Sequence, residues 1–223
     1  YWGILSMFNL RYKRLMAKAS VSSSVPSVEQ TRNRISDTNP LALMGGNPNL
    51  KSAYNSNLNL IYAATLAKGM GNIMATFSAD AGFRNIVSKT RYFSENTVLS
   101  DWDGYEAMAG SRLYTYENAT TPSYRLNLAI SATGLFFKRK LNVQFVPGAV
   151  WSSAPMYYGE NLISTNEIQG NGRLNLNYRV TKNLSFGAGT ALGYSKSSDR
   201  TSGLLSERLS VSASADMRWL IAK

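Results

Sequence analysis

Arg173-Leu174-Asn175-Leu176-Asn177-Tyr178-Arg179-Val180 alternates without a break. Leu174, Leu176, Tyr178 and Val180 fall on one side of an extended chain, and Arg173, Asn175, Asn177 and Arg179 on the other. That period of two marks a β-strand with one apolar and one polar face. Leu184, Phe186 and Ala188 continue the pattern after a short break, opposite small residues. Farther on, Leu209, Val211, Ala213, Ala215, Met217, Trp219 and Ile221 alternate with Ser210, Ser212, Ser214, Asp216 and Arg218. A strand from 209 to 221 would run for about 40 Å at roughly 3.3 Å per residue. Strands of soluble proteins usually stop near five or six residues, whereas a tilted membrane-spanning strand needs about nine to eleven.

The same alternation recurs upstream. Leu58, Leu60 and Tyr62 face away from Asn57 and Asn59, and Ile73, Ala75, Phe77 and Ala79 from Met74, Thr76 and Ser78. Leu126, Leu128 and Ile130 oppose Arg125, Asn127 and Ala129, and Leu141, Val143 and Phe145 oppose Asn142 and Gln144. The pattern predicts about nine strands, near 4–11, 15–25, 52–66, 72–92, 122–136, 140–151, 162–180, 183–195 and 204–221. Short connections (Tyr12-Lys13-Arg14, Lys68-Gly69-Met70-Gly71, Lys138-Arg139-Lys140, Thr181-Lys182-Asn183) take turns with long polar stretches at Pro26–Lys51, Ser94–Pro122, Trp151–Glu160 and Ser195–Gly203. Tight turns at one end and long loops at the other are the pattern of an outer-membrane barrel. The fold expected is therefore all-β: an antiparallel transmembrane β-barrel, with residues 1–223 forming one barrel segment of about nine strands. Trp2, Tyr12, Tyr54, Tyr62, Tyr178, Tyr194 and Trp219 lie near strand ends. An interfacial aromatic girdle and the ordinary strand preference of these residues both account for that.

Composition supports this reading and removes others. Hydrophobic residues make up 44% of the chain, but charged ones only 17%, against about a quarter in most globular domains. The polar positions are filled largely by Asn, Ser and Thr. With no cysteine and no histidine, the chain alone cannot build a thiolate metal site, a His-based nucleophile or a histidine zinc centre. No catalytic residue, cofactor or metal site is expected. No apolar run is long enough for a transmembrane helix.

The net charge of +11 leaves two partners to weigh, nucleic acid and an anionic membrane surface. Lys13-Arg14 and Lys138-Arg139-Lys140 sit in turns at one end of the expected sheet. No basic helix or aromatic nucleic-acid signature accompanies them, so outer-membrane lipid is the expected partner and nucleic acid is not. Arg125, Arg173, Arg179 and Arg218 fall on the polar side of their strands, which would face the lumen of a barrel. There they would pair with carboxylates or attract an anionic solute. Asp101 and Asp103, flanking Trp102, offer oxygen ligands for a cation but lack the spacing of a calcium loop, and a solvated loop tip accounts for them better. Gly-Ala-Gly-Thr-Ala-Leu-Gly at 187–193 lies within an alternating strand and opens no helix, which excludes a dinucleotide-binding turn.

The stretch VSSSVPSVEQTRNRISDTNPLALMGGNPNLKSAYNSNLNLIY, residues 21–62, carries a family resemblance. A Ser-rich strand, a Pro-containing loop, Asn39-Pro40, the phrase Gly46-Asn47-Pro48-Asn49-Leu50-Lys51 and then Tyr54 opening an alternating strand resemble outer-membrane β-barrels related to TonB-dependent receptors. YEAMAGSRLYTYENATTPSYRLNLAIS, LFFKRKLNVQF and YRVTKNLSFGAG look like downstream strands of the same family. Ser52 stands where the family pattern has Pro. The turn chemistry is sound, since Asn-Pro and Gly-Asn-Pro disfavour helix and favour tight turns. Gly46, Asn47, Pro48, Asn49, Leu50 and Tyr54 are the candidate structural loop motif.

The resemblance implies nutrient uptake across the outer membrane of a Gram-negative cell. It also implies a TonB-type energising complex acting through an N-terminal plug, and partners among surface lipoproteins or other complex subunits. Neither a plug nor a TonB box is present in these residues. The chain starts on Tyr1-Trp2-Gly3 without a leader and ends on Arg218-Trp219-Leu220-Ile221-Ala222-Lys223 without a terminal aromatic residue. Those ends and the odd strand number set the expectation of a piece of a larger barrel. The competing expectations are a structural or assembly barrel without transport and a soluble β-rich binding module.

Overall fold

The alternating segments pair with one another in chain order. The computed structural model describes residues 2–10, 13–66, 70–199 and 205–220. Nine strands make one sheet: β1 (Trp2–Leu10), β2 (Lys13–Ser24), β5 (Ala53–Thr65), β6 (Gly71–Phe83), β11 (Ser123–Phe136), β12 (Leu141–Tyr158), β13 (Asn161–Arg179), β14 (Leu184–Asp199) and β15 (Leu205–Trp219). Each is antiparallel to its neighbours, in the order just given. β12 and β13 reach 18 and 19 residues, about three times the usual strand. Among the described residues β1 and β15 each have one neighbour in the sheet.

Register carries the sequence pattern across strands, because paired residues share a face. One continuous row reads Ile4, Ala19, Leu58, Ala79, Leu126, Trp151, Ile168, Lys196, Glu207. The row beside it reads Ser6, Ala17, Leu60, Phe77, Leu128, Ala149, Gly170, Tyr194, Leu209. One face of the sheet is thus apolar from edge to edge. Its charges sit at the margin, where Lys196 pairs with Glu207 at 2.7 Å. The rows also shear against the turns. The Ile4 row lies six residues from Leu10, seven from Thr65, ten from Phe136 and eleven from Arg179. At about 3.3 Å per residue and 4.8 Å per strand, that is a strand tilt of roughly 30° to the line of turns.

The connections follow the expected asymmetry at one end and depart from it at the other. The links β1–β2, β5–β6, β11–β12 and β13–β14 lie together at one end. Of these, residues 11–12 and 67–69 lie outside the described set, as do Ile221 and the chain end at 221–223. In the β11–β12 turn Phe137, Lys138 and Arg139 all have positive φ, between 50 and 68°, a conformation costly for residues with a Cβ.

At the opposite end, the four long stretches expected as loops turn out otherwise in their described residues. Trp151–Glu160 is no loop: β12 runs on to Tyr158, and Gly159, at φ 59°, makes a tight hairpin with β13. β14 likewise continues through Asp199, and 200–204 lie outside the described residues. The segments 26–51 and 94–122, together with residues 84–93 that precede the second, fold into a separate small unit. It contains α1 (Val28–Thr31), β3 (Ile35–Ser36), β4 (Ala42–Gly45), β7 (Ile86–Tyr92), β8 (Thr97–Leu99), β9 (Tyr105–Ala107) and β10 (Arg112–Asn118). β3-β4-β10-β7 form a four-stranded sheet whose β4–β10 pairing is parallel, and β8 pairs with β9.

The expected single strand 72–92 is therefore two. Arg84, at φ 55°, breaks it after Phe83, and Asn85 ties the break to Gly82 O and Ser123 Oγ, so β7 turns away into the small sheet. The core of the small unit is Ile35, Leu43, Phe93, Leu99, Ala107 and Leu113, with Trp102 and Tyr105 packed against it. Among the described residues no helix is long and apolar enough to cross a membrane.

Candidate functional site

The Gly46–Leu50 motif is the hinge of the small unit. Gly46 is buried, and a Cβ there would collide with the backbone of Arg32 and come within 2.8 Å of Glu29 O. Only glycine lets β4 run this close to α1, which Ser27 and Gln30 close with a capping box. That S-x-x-Q spacing is a helix-start signal the alternation reading passed over. Asn47 does most of the tying. Its amide NH donates to Gln30 O at 2.6 Å, its side-chain Nδ2 to Tyr116 O at 3.0 Å, and its Oδ1 accepts from Asn49 N at 2.9 Å. Trp102 Nε1 donates to Gly46 O at 3.2 Å. Pro48 and Asn49 are exposed, and Leu50 is half-buried. Tyr54 opens β5 across from Phe83, with the Arg84 guanidinium 5.9 Å from its ring centre. The motif thus lies between the end of β4 and the start of β5. Beside it lies a polar cleft of about 470 Å³, lined by Asn47, Asn49, Trp102, Tyr116 and Glu117 among others.

Three positions that the sequence did not single out join the small unit to the long sheet. Asn118 Nδ2 donates to both Lys51 O and Arg84 O at 2.9 Å, and its Oδ1 accepts from Lys51 N at 2.7 Å. Lys89 Nζ lies 3.1 Å from Glu117 Oε1 and 2.7 Å from Glu160 Oε2, in the β12–β13 hairpin. Tyr157, in the part of β12 that extends past its β11 partner, donates from its hydroxyl to Glu117 Oε2 at 2.6 Å. Burial alone would pull Lys89 down, but its bonds to Glu160 and Glu117 outweigh that and hold it above 10.5. Burial would likewise push Glu117 up, but Tyr157 and Lys89 hold it below 4.5. Burial and then the Glu117 bond push Tyr157 up to about 12. No spacing rule brings residues 89, 117, 157 and 160 together; only the docking of β7 and β10 on the hairpin does.

The four arginines singled out by alternation all lie on the polar face. Arg125 faces Asp80 and Ser152 across the ladders, and Arg173 faces Val146 and Ala191. Arg179 and Arg218 flank Ser185. Arg14, Lys18 and Arg208 share the face, by register with Ala63, Asn59 and Ser195. The acidic residues that register puts on it are Asp80, Glu167, Asp199 and Asp216, and Asp80 accepts from Asn57 Nδ2 at 2.7 Å. Among the described residues no ion pair joins these cations to an acid. Gly187 and Gly189 sit within β14, on this face, where Asp216 and Ser214 lean over them. A strand in that position excludes a nucleotide-binding turn. Asp101 belongs to a short 3-10 turn and Asp103 follows it in a left-handed conformation; both are exposed.

The aromatic residues settle into two belts on the apolar face. Tyr62, Tyr178 and Trp219 lie toward the tight-turn end, and Tyr54, Tyr124, Trp151 and Tyr194 toward the other. The expected Tyr12 lies outside the described residues, and so does the side chain of Trp2. Comparison with protein-family models, with curated proteins and with solved structures gave no match.

Proposed function

We propose that this sheet is wall of an outer-membrane β-barrel, TonB-dependent-receptor-like, that takes up a nutrient across the outer membrane. The observation that carries the reading is the apolar face, continuous over nine strands and free of charge between two aromatic belts. From Tyr54 to Tyr62, or Phe186 to Tyr194, eight residues separate the belts, about 26 Å along the strand. The apolar band of outer-membrane barrels is about 25 Å tall. Large side chains exposed to water over such an area would cost solubility and invite aggregation; lipid removes that cost.

The sheared register and the four short links that lie together at one end support the same reading. The polar face would then line an aqueous lumen whose surplus of cations favours anionic solutes or an acidic plug segment. The family assignment and the energised uptake rest on the Gly46–Lys51 phrase and its neighbours.

The test is insertion and uptake by the full-length protein. It is expected to float with lipid vesicles and to resist urea extraction, and its deletion is expected to abolish uptake of one solute. Protein that stays in the aqueous phase without detergent would overturn the membrane reading. A second reading, a structural or assembly subunit without transport, is favoured by the small outer unit, whose own core makes it a ready docking surface. Partners co-purifying in fixed ratio, with uptake unchanged on deletion, would select it.

A further inference from the structure

We propose that the apolar face carries a binding site for one phosphate-bearing lipid, where β2, β5, β6 and β11 meet the small unit. Its acyl chain would lie in a groove floored by Ala19, Ala79 and Ala81, and its phosphate on Lys51 and Arg84. The inference rests on the membrane reading above and goes beyond it by naming a specific ligand.

The groove follows from side-chain size. In the row Ile4, Ala19, Leu58, Ala79, Leu126, two alanines alternate with large residues, and Ala81 lies between Ser56 and Tyr124 one rung away. Small side chains between tall ones leave a hollow of about 500 Å³ in an otherwise full apolar surface. A flat lipid-facing wall needs no such hollow. An alkyl chain fills one by dispersion contact over its length.

A second hollow of about 690 Å³ lies farther along β5 and β6 and shares no lining residue with the first. Tyr54 and Phe83, which line it, are a cross-strand pair two residues beyond Ser56 and Ala81, about 7 Å along the strands. Lys51, Arg84, Asn118 and Pro122 complete it. The two cations are set by the backbone around them. Asn118 clamps Lys51 at both its NH and its carbonyl and also holds the Arg84 carbonyl, and the Tyr54 ring supports the guanidinium. Among the described residues neither cation has an ion-pair partner. Asp80, the acid nearest the groove in sequence, projects from the opposite face toward Asn57 and the Arg125 row. An apolar groove beside two cations, whose one acidic lining residue, Asp80, turns its carboxylate to Asn57, has the shape and charge of a lipid with a phosphate monoester headgroup. Arg and Lys both bind phosphate strongly, whereas a choline headgroup carries no net charge to attract them.

The experiment uses the full-length protein in vesicles of phosphatidylcholine doped with phosphatidic acid of the same chains. Flotation scores insertion, and native mass spectrometry of the released protein scores retained lipid. One phosphatidic acid per chain is expected, favoured over phosphatidylcholine. The double variant Lys51→Gln/Arg84→Gln should lower that preference about thirty-fold, from two cations near a membrane surface, while flotation is unchanged. Ala79→Phe, which fills the groove, should reduce retention of both lipids. Equal retention of the two lipids, or an unaffected double variant, overturns the site while leaving the membrane reading standing. Displacement by free inorganic phosphate overturns the groove's part in it. A protein that fails to float overturns both.

Discussion

The long sheet and the small unit use the same residue types in opposite ways. In the small unit Leu43 is 0% exposed and Leu113 1%, each closed in by its own chain. In the long sheet Leu128 is 43% exposed and Leu209 72%, though both belong to unbroken ladders. A leucine on a strand is a core residue only if another layer lies over it. The small unit supplies that layer by folding β3-β4-β10-β7 over Trp102 and Tyr105. The long sheet supplies hydrogen bonds to its own backbone and leaves its apolar side to the surroundings. The first arrangement is stable in water. The second leaves a wide apolar surface uncovered among the described residues, and the membrane proposal rests on that surface.

The sharpest way to break this contrast is one truncation on each side of it. Leu43→Ala should destabilise the small unit by about 3 kcal/mol, the usual cost of an empty leucine site in a core. Hydrogen exchange should rise in β4 and β10, with β11–β15 unchanged. Exchange rising evenly through the chain would mean that the two regions share one stability. Next in size, Leu128→Arg on the apolar face should cost about 2–4 kcal/mol in a bilayer. Asn127→Arg, one residue away on the polar face, should cost well under 1 kcal/mol, as a surface substitution does. Equal costs at 127 and 128, measured by refolding into vesicles, would remove the distinction between the faces.

The seam between the regions makes a pH-dependent prediction. Glu117 is held below 4.5 in the fold, so its contribution is present above that value and is lost as pH falls through the folded value. Lys89 is held above 10.5, so its contribution is present below 10.5 and is lost as pH rises past the folded value. Tyr157 is raised from 10.0 to about 12, so its contribution fades as pH climbs between those limits. Docking of the small unit on the β12–β13 hairpin should therefore be tightest between 4.5 and 10.0, read as exchange protection of β10 and the hairpin. Tyr157→Phe should cost about 1 kcal/mol at neutral pH through the lost hydrogen bond and should remove the fade specific to the tyrosine. The smallest effect is expected at the β11–β12 turn. Arg139→Gly should stabilise by about 1 kcal/mol, because glycine adopts a positive φ without the Cβ penalty.

Much of the long sheet was legible because alternation is a local signal. The run from Arg173 to Val180 assigns each side chain to a face without knowledge of its neighbours, and the same holds around Leu58, Leu126 and Leu209. The nine strands of the sheet start within two residues of where alternation put them, though the expected strand 72–92 breaks at Arg84, and the four arginines share the polar face. Errors came where strands outlast their obvious pattern. Pro155, Tyr157 and Gly159 look like loop residues, yet β12 carries them into a hairpin.

The small unit stayed hidden for a different reason. Leu43, Phe93, Leu99 and Leu113 are spaced too irregularly to show a period, and the strands that carry Ile35, Leu99 and Ala107 have only two or three residues. The Gly46–Leu50 phrase was visible as a turn former. That it closes a core was not, because its partners Gln30, Trp102 and Tyr116 come from three separate segments.

The sequence by itself determined strand positions, the two faces of the long sheet and the end at which the tight turns gather, because each depends on residues a few positions apart. Tertiary structure alone decided that residues 26–51 and 84–122 make a unit with its own core. It alone set Lys89, Glu117, Tyr157 and Glu160 into one cluster, and it brought Lys51 and Arg84 to the mouth of an apolar groove. Those arrangements join residues 30 to 70 positions apart, and only chain crossing and packing can fix contacts at that range.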